Sequence, residues 1–192
     1  MEDDSDEALW ALVVGGEPRS YGVIWDRHRD RVFRHVIRLG GELQDAEDLT
    51  AATFLELWRR RGSVRFVDGS LLPWLIVTAH NVYRNDARAR RRYRRFLASL
   101  PAADPASVRA SDPAVLVEGI DAVRDARVRA AMAGARPADV RLLAMTALEG
   151  FSVKDAAAAI GVSESAAKMR LSRLRRRLGA AIEYSLTQGD VS

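Results

Sequence analysis

Cysteine is absent from the chain, which excludes disulfides, a thiol nucleophile and cysteine-ligated zinc. Long apolar runs are also missing. None approaches the roughly 18 to 20 residues that cross a bilayer, so no membrane insertion is expected. Histidine is sparse and scattered, at His28, His35 and His80. No paired acids and no glycine-rich phosphate loop accompany it, so the sequence predicts neither an enzyme nor a cofactor or metal. Period-two alternation is nearly absent, which argues against a sheet. The opening residues, MEDDSDEALW, are acidic, unlike a secretory or transit peptide. A cytoplasmic protein is the expectation.

What is present is helix and segregated charge. With 192 residues and 48% hydrophobic content, the chain can bury one medium core or two small ones. Its net charge is only +4, but the distribution is uneven. Residues 1–58 carry 6 basic against 13 acidic groups, and residues 59–95 carry 11 against 2. Residues 136–192 carry 9 against 6. Two basic blocks suit a polyanion, and the acidic first third suits a basic partner.

Apolar residues at helical spacing predict helices over 6–14, 19–39, 45–60 and 73–96. Gly15-Gly16 and Gly40-Gly41 act as stops, and Pro73 stands where a helix start tolerates proline. The stretch ASLPAADPASVRASDP then reads as a linker. Helical pattern returns over 114–133 and 137–148. The expected fold is all-α: two small helical domains, 1–97 and 115–192, joined by a flexible linker at 98–114.

In SVKDAAAAIGVSESAAKMRLSRLRRRL, Ser152 and Asp155 form a capping box, and Ala156, Ala157 and Ile160 can pack inward. Gly161 permits the positive φ of a tight corner, and Ser163 can cap the next helix. Ala167, Leu171, Leu174 and Leu178 make a buried stripe, leaving Lys168, Met169, Ser172 and Arg173 outward. That is the geometry of a helix-turn-helix that reads a major groove.

Earlier, DAEDLTAATFLELW opens with Asp45 as a natural N-cap, with Glu47 and Asp48 in the first turn. Leu49, Phe54, Leu55 and Trp58 add apolar contacts. A metal cluster here would lack a nearby histidine, so an acidic face for a basic protein partner explains these residues better. The stretch WLIVTAHNVYRNDARARRRYRR changes character along one helix. Leu75, Ala79 and Val82 line an anchoring side, whereas Asn81, Arg84, Arg88 and Arg91 or Arg92 line a side suited to phosphates. The apolar loop FVDGSLL beside it suits unstacked bases. Trp74 taken alone reads as core packing.

These three segments, in this order, resemble those of the bacterial extracytoplasmic function group of sigma factors, small members of the sigma-70 family. The resemblance spans roughly residues 5 to 183 and implies a transcription initiation factor with no catalysis of its own. It implies two domains, sigma domain 2 over 1–97 and the helix-turn-helix sigma domain 4 over 115–192. The implied partners are core RNA polymerase, through its beta-prime clamp helices and beta flap, and promoter DNA. An anti-sigma protein is a candidate further partner. By position, Asp45, Glu47, Asp48, Leu49, Phe54 and Trp58 would meet the clamp helices. Asn81, Arg84, Asn85, Arg88 and Trp74 would meet the minus-ten element, with Val67, Asp68, Leu71 and Leu72 in the loop that holds a flipped base. Ser163, Ser165, Lys168, Met169, Ser172 and Arg173 would meet the minus-thirty-five element. The chain departs from the family at Ala51 and Ala52, where Gln and an acid are usual, and at Ala166-Ala167, where Thr-Val is usual. Met169 replaces a small polar residue, so minus-thirty-five preference should differ.

Overall fold

The computed structural model of the chain describes residues 4–99, 130–132 and 134–189, with side chains as far as residue 182. Among these the regular elements are helical, apart from one antiparallel bridge between Val67 and Ser70. Most of the expected linker, and the helix expected over 114–133 as far as residue 129, lie outside the described residues.

The N-terminal domain has four helices: α1 (Asp6–Val14), α2 (Pro18–Arg38), α3 (Leu43–Arg59) and α4 (Leu72–Ser99). Local chemistry explains most of their ends. Ser5 caps α1 by accepting from the Ala8 N–H, and Pro18 opens α2 where a missing N–H costs nothing. Gly40, at φ +89, turns the chain out of α2. The start of α3 differs from expectation. It begins at Leu43, with Glu42 at the N-cap and no side-chain cap bond. Asp45 therefore sits in the first turn rather than at the cap, and its carboxylate accepts from Arg90 on α4.

Leu9, Ile24, Val32, Phe54, Leu57 and Leu75 meet in the core of this domain. Burying each such side chain contributes roughly 1.5–3 kcal/mol. Trp10 donates its indole N–H to the Arg61 carbonyl at 3.1 Å, and the Tyr21 hydroxyl donates to the Phe54 carbonyl at 2.7 Å. These bonds give the large aromatics polar partners at the domain's edge.

The C-terminal domain contains α5 (Pro137–Leu143), a π-helical turn (Ala144–Leu148), α6 (Val153–Ile160) and α7 (Glu164–Gly189). The expected helix over 137–148 thus widens after about two turns. Thr146 bonds back to the Leu142 carbonyl at 2.9 Å, and the Glu149 N–H reaches the Ala144 carbonyl at 3.2 Å. The α6 corner follows expectation closely. Ser152 accepts from the Asp155 N–H, Gly161 sits at φ +76, and Ser163 accepts from the Ala166 N–H. Ala167, Leu171 and Leu174 are buried.

The two domains share a second apolar core. Val67 and Ile76 from the N-terminal domain pack among Leu142, Met145, Ala157 and Leu171 from the other. The alanines of α6 let α4 approach closely, as a larger side chain would not.

Candidate nucleic-acid interface

The outer face of α7 is the most direct candidate. Ser163, Ser165, Lys168, Met169, Ser172 and Arg173 are all exposed, opposite the buried Ala167–Leu171–Leu174 stripe. Arg173 Nη2 lies 3.0 Å from the Met169 sulfur, and Lys168 pairs with Glu164 at 2.6 Å. The neighbouring pair places a cation beside an apolar, polarisable surface, suited to a base edge and a thymine methyl.

The second candidate face lies on the loop before α4 and along that helix. Val67 and Ser70 exchange backbone bonds at 3.1 and 3.0 Å, closing a two-residue turn with Asp68 at φ +49 and Gly69 at φ +74. Both central residues being left-handed makes this a type I′ turn, for which Asp-Gly is a favoured pair. Asp68 is exposed at its tip, whereas Val67 and Leu71 are buried and Leu72 is half-buried. Trp74 is half-buried against the N-terminal core, in keeping with its packing role. Along α4, Asn85 and Arg88 are exposed, while Asn81 and Arg84 are half-buried. Burial lowers the Arg84 pKa, with the neighbouring Arg88 and Arg141 charges adding to the effect.

The C-terminal domain covers part of this second face. Arg141 Nη1 donates to Asn81 Oδ1 at 2.7 Å, and Val67 and Leu72 lie against the second core. Glu149 completes the contact. Its buried carboxylate accepts from Arg31 at 3.2 Å and Arg38 at 2.7 Å, and pairs with His35 Nδ1 at 2.8 Å. Arg31 also donates to the Glu149 carbonyl at 2.7 Å. Burial raises the Glu149 pKa, but the bonds from His35 and Arg31 and the Arg38 charge outweigh it and hold the carboxyl below its ordinary range.

The third candidate face is on α3. Glu47 and Asp48 are exposed, and so is Trp58, with Leu55 beside it. Leu49 and Phe54 are buried in the core instead, so they shape this face from beneath. The Arg90 hydrogen bond, against a smaller opposing effect of burial, holds the Asp45 carboxyl below its usual range. Pro18, Tyr21, Trp25, Ala51, Phe54, Leu55 and Trp58 line an apolar groove of about 410 Å³. The small Ala51 side chain leaves that groove open. The sequence marks Leu55 as an apolar contact of this segment and Tyr21 as a core candidate, without placing either at the site. Arg141 and Glu149 carry no local signal, because their roles come from distant helices.

The sigma-70 region 2 family profile matches residues 24–93, and the sigma-70 region 4 profile matches residues 137–178. The chain is 28% identical over 180 residues to the ECF RNA polymerase sigma factor BldN of Streptomyces coelicolor, covering 91% of this chain and 66% of that one. It thus spans just under two thirds of that relative's length. It is 30% identical over 171 residues to the RNA polymerase sigma factor CarQ of Myxococcus xanthus, covering 85% of this chain and 92% of that one. In fold it is similar to CnrH, solved in complex with the cytosolic domain of CnrY. That match has a TM-score of 0.58 at 23% identity and covers 94% of this chain and 99% of that one. Two helical domains in this order, the two family profiles and the curated relatives have one reading: the chain belongs to the extracytoplasmic function group of the sigma-70 family.

Proposed function

We propose that this protein is a cytoplasmic transcription initiation factor, without catalysis of its own, that brings core RNA polymerase to a two-part promoter and begins DNA melting. The observation that carries this reading is the outward face of α7, polar and basic over a wholly apolar inner stripe, in a chain that also bears the region 2 segment. A duplex-binding repressor would have no need of that segment.

In this reading α3 meets the polymerase clamp. Glu47, Asp48 and Trp58, joined by Leu55, form the contact surface, and Asp45, Leu49 and Phe54 hold its shape. An acidic rim around an apolar groove is complementary to a basic amphipathic helix. The exposed arginines of α4 neutralise phosphate, and Asn81, Asn85 and the Asp68 turn meet minus-ten bases. The covered positions of Asn81, Val67 and Leu72 mean that the domains separate before DNA is engaged. Ser163, Ser165, Lys168, Met169, Ser172 and Arg173 read the minus-thirty-five element.

Run-off transcription with purified core polymerase on genomic fragments tests the whole reading. Specific transcripts that depend on this chain are expected. Failure to bind core polymerase or to yield any defined start would overturn it.

A further inference from the structure

Asp6 is the first residue of α1 and is almost completely buried. A carboxylate there is ordinarily explained by the helix dipole, but its partners lie elsewhere. Oδ2 accepts from the Leu71 N–H at 2.8 Å and the Ser70 hydroxyl at 3.1 Å, and is 2.8 Å from His28 Nε2. Oδ1 accepts from Arg27 at 2.9 Å. One side chain thus ties α1 and α2 to the end of the Asp68-Gly69 turn.

The two backbone bonds of the turn join Val67 only to Ser70, which fixes its internal shape. Val67 packs into the second apolar core and Leu71 into the N-terminal core, and polar ties complete the hold where the turn meets α4. There the Ser70 hydroxyl accepts from the Leu72 N–H at 3.2 Å while donating to Asp6. The Leu71 N–H, left without an intrahelical acceptor at the start of α4, goes to the same carboxylate. Arg27 and His28 hold that carboxylate in place from α2. Without it, the buried Leu71 N–H and the half-buried Ser70 hydroxyl lose their acceptor, and the angle between turn and helix rests on the apolar packing of Val67 and Leu71.

We propose that Asp6 is a positioning residue for minus-ten recognition, holding Ser70 and Leu71 so that the Asp68-Gly69 tip is presented at a fixed angle to an unstacked base. This rests on the reading of that loop as the base-holding element. Arg27 and His28 act one step further back, by orienting the carboxylate.

The test uses the full chain with core polymerase and a promoter library randomised in the minus-ten element. A photo-crosslinking residue at position 68 first identifies the base the turn meets. Asp6→Ala should lower discrimination at that base by roughly tenfold, the size of one good base contact. Discrimination at the minus-thirty-five element should stay as in the wild type. Asp6→Asn, which keeps an acceptor for the Leu71 N–H, should restore part of the preference. A merely structural role would lower transcription equally across the library and leave relative preferences intact, which overturns the proposal. If Asp6→Ala does not fold, Ser70→Ala, which removes only the hydroxyl link, carries the test. An unchanged preference in that variant overturns the proposal too. Crosslinking with unchanged preference rejects the role of Asp6 alone. No crosslink to the minus-ten strand rejects the reading of the loop and this inference with it.

Discussion

Trp58 combines exposure with fixed orientation. Its ring meets Tyr21 edge-on at 5.6 Å and lies under the Arg61 guanidinium at 5.0 Å, yet 42% of its surface is open. A rigid, accessible tryptophan beside an apolar groove is the type of residue that dominates protein interfaces. Trp58→Ala should weaken capture of core polymerase by about thirtyfold or more, a loss of about 2 kcal/mol or more. Thermal melting should move little, because the ring is already half in solvent. Leu49→Ala, by contrast, removes a buried side chain and should cost stability, about 2–5 kcal/mol by urea unfolding. His80 offers a second test at this scale. Burial, with the neighbouring His35, Arg84 and Arg141 charges, pushes its pKa down to about 3, and neither ring nitrogen has a partner among the described residues. Unfolded, the same ring takes its proton near pH 6.5. The folded state therefore binds fewer protons between those values, so this contribution to stability is complete above 6.5 and is lost as pH falls. Urea midpoints at pH 7 and pH 5 should differ less for His80→Leu than for the wild type.

At the scale of elements, α4 divides its arginines between two tasks. Arg90 is bound by Asp45 of α3 and by Asp86 one turn away, at 2.7 Å for the latter, whereas Arg88 faces solvent. Arg88→Ala should reduce the salt slope of promoter binding by about one, across all sequences. Arg90→Ala should leave that slope nearly unchanged and loosen the α3–α4 packing instead. The helix-turn-helix depends on a different feature, the left-handed corner at Gly161. Gly161→Ala should destabilise the domain by roughly 1–2 kcal/mol, measured by denaturation of the full chain. A Cβ there would also come within 2.9 Å of the Arg65 guanidinium, the end of a flexible side chain that can move aside.

Over the whole molecule, one carboxylate gathers most of the polar contact between the domains. Glu149 gathers Arg31, His35 and Arg38, and Arg141 with Asn81 forms a second polar tie beside the apolar contact of Val67 and Ile76. Neutralising Glu149 leaves the buried His35 without its anionic partner and releases the partly exposed Arg31 and Arg38 to solvent. Glu149→Gln should therefore shift the chain toward separated domains. Small-angle scattering should show a larger radius of gyration, and a minus-ten oligonucleotide should bind more tightly as Asn81 is released. An unchanged radius together with unchanged oligonucleotide binding would show that the cluster does not control access.

The helices and most of their ends are legible in the chain itself, because caps, glycine stops and apolar spacing act over three or four residues. Ser5, Ser152, Gly161 and Ser163 each work through neighbours close in the chain. The outward face of α7 was legible for the same reason: once Ala167, Leu171 and Leu174 point inward, helical period sends Lys168, Met169, Ser172 and Arg173 outward. Which members of the α3 segment are surface and which are core depends on packing between helices. Leu49 and Leu55 are equally apolar, and their difference comes from Trp25, Tyr21 and the helices around them. Likewise, Asp45 pairs with a residue 45 positions away, Asp6 with one 65 away, and Glu149 with one 118 away. No local propensity encodes such partners. They are fixed when separate helices pack and buried polar groups must find donors or acceptors across the gap.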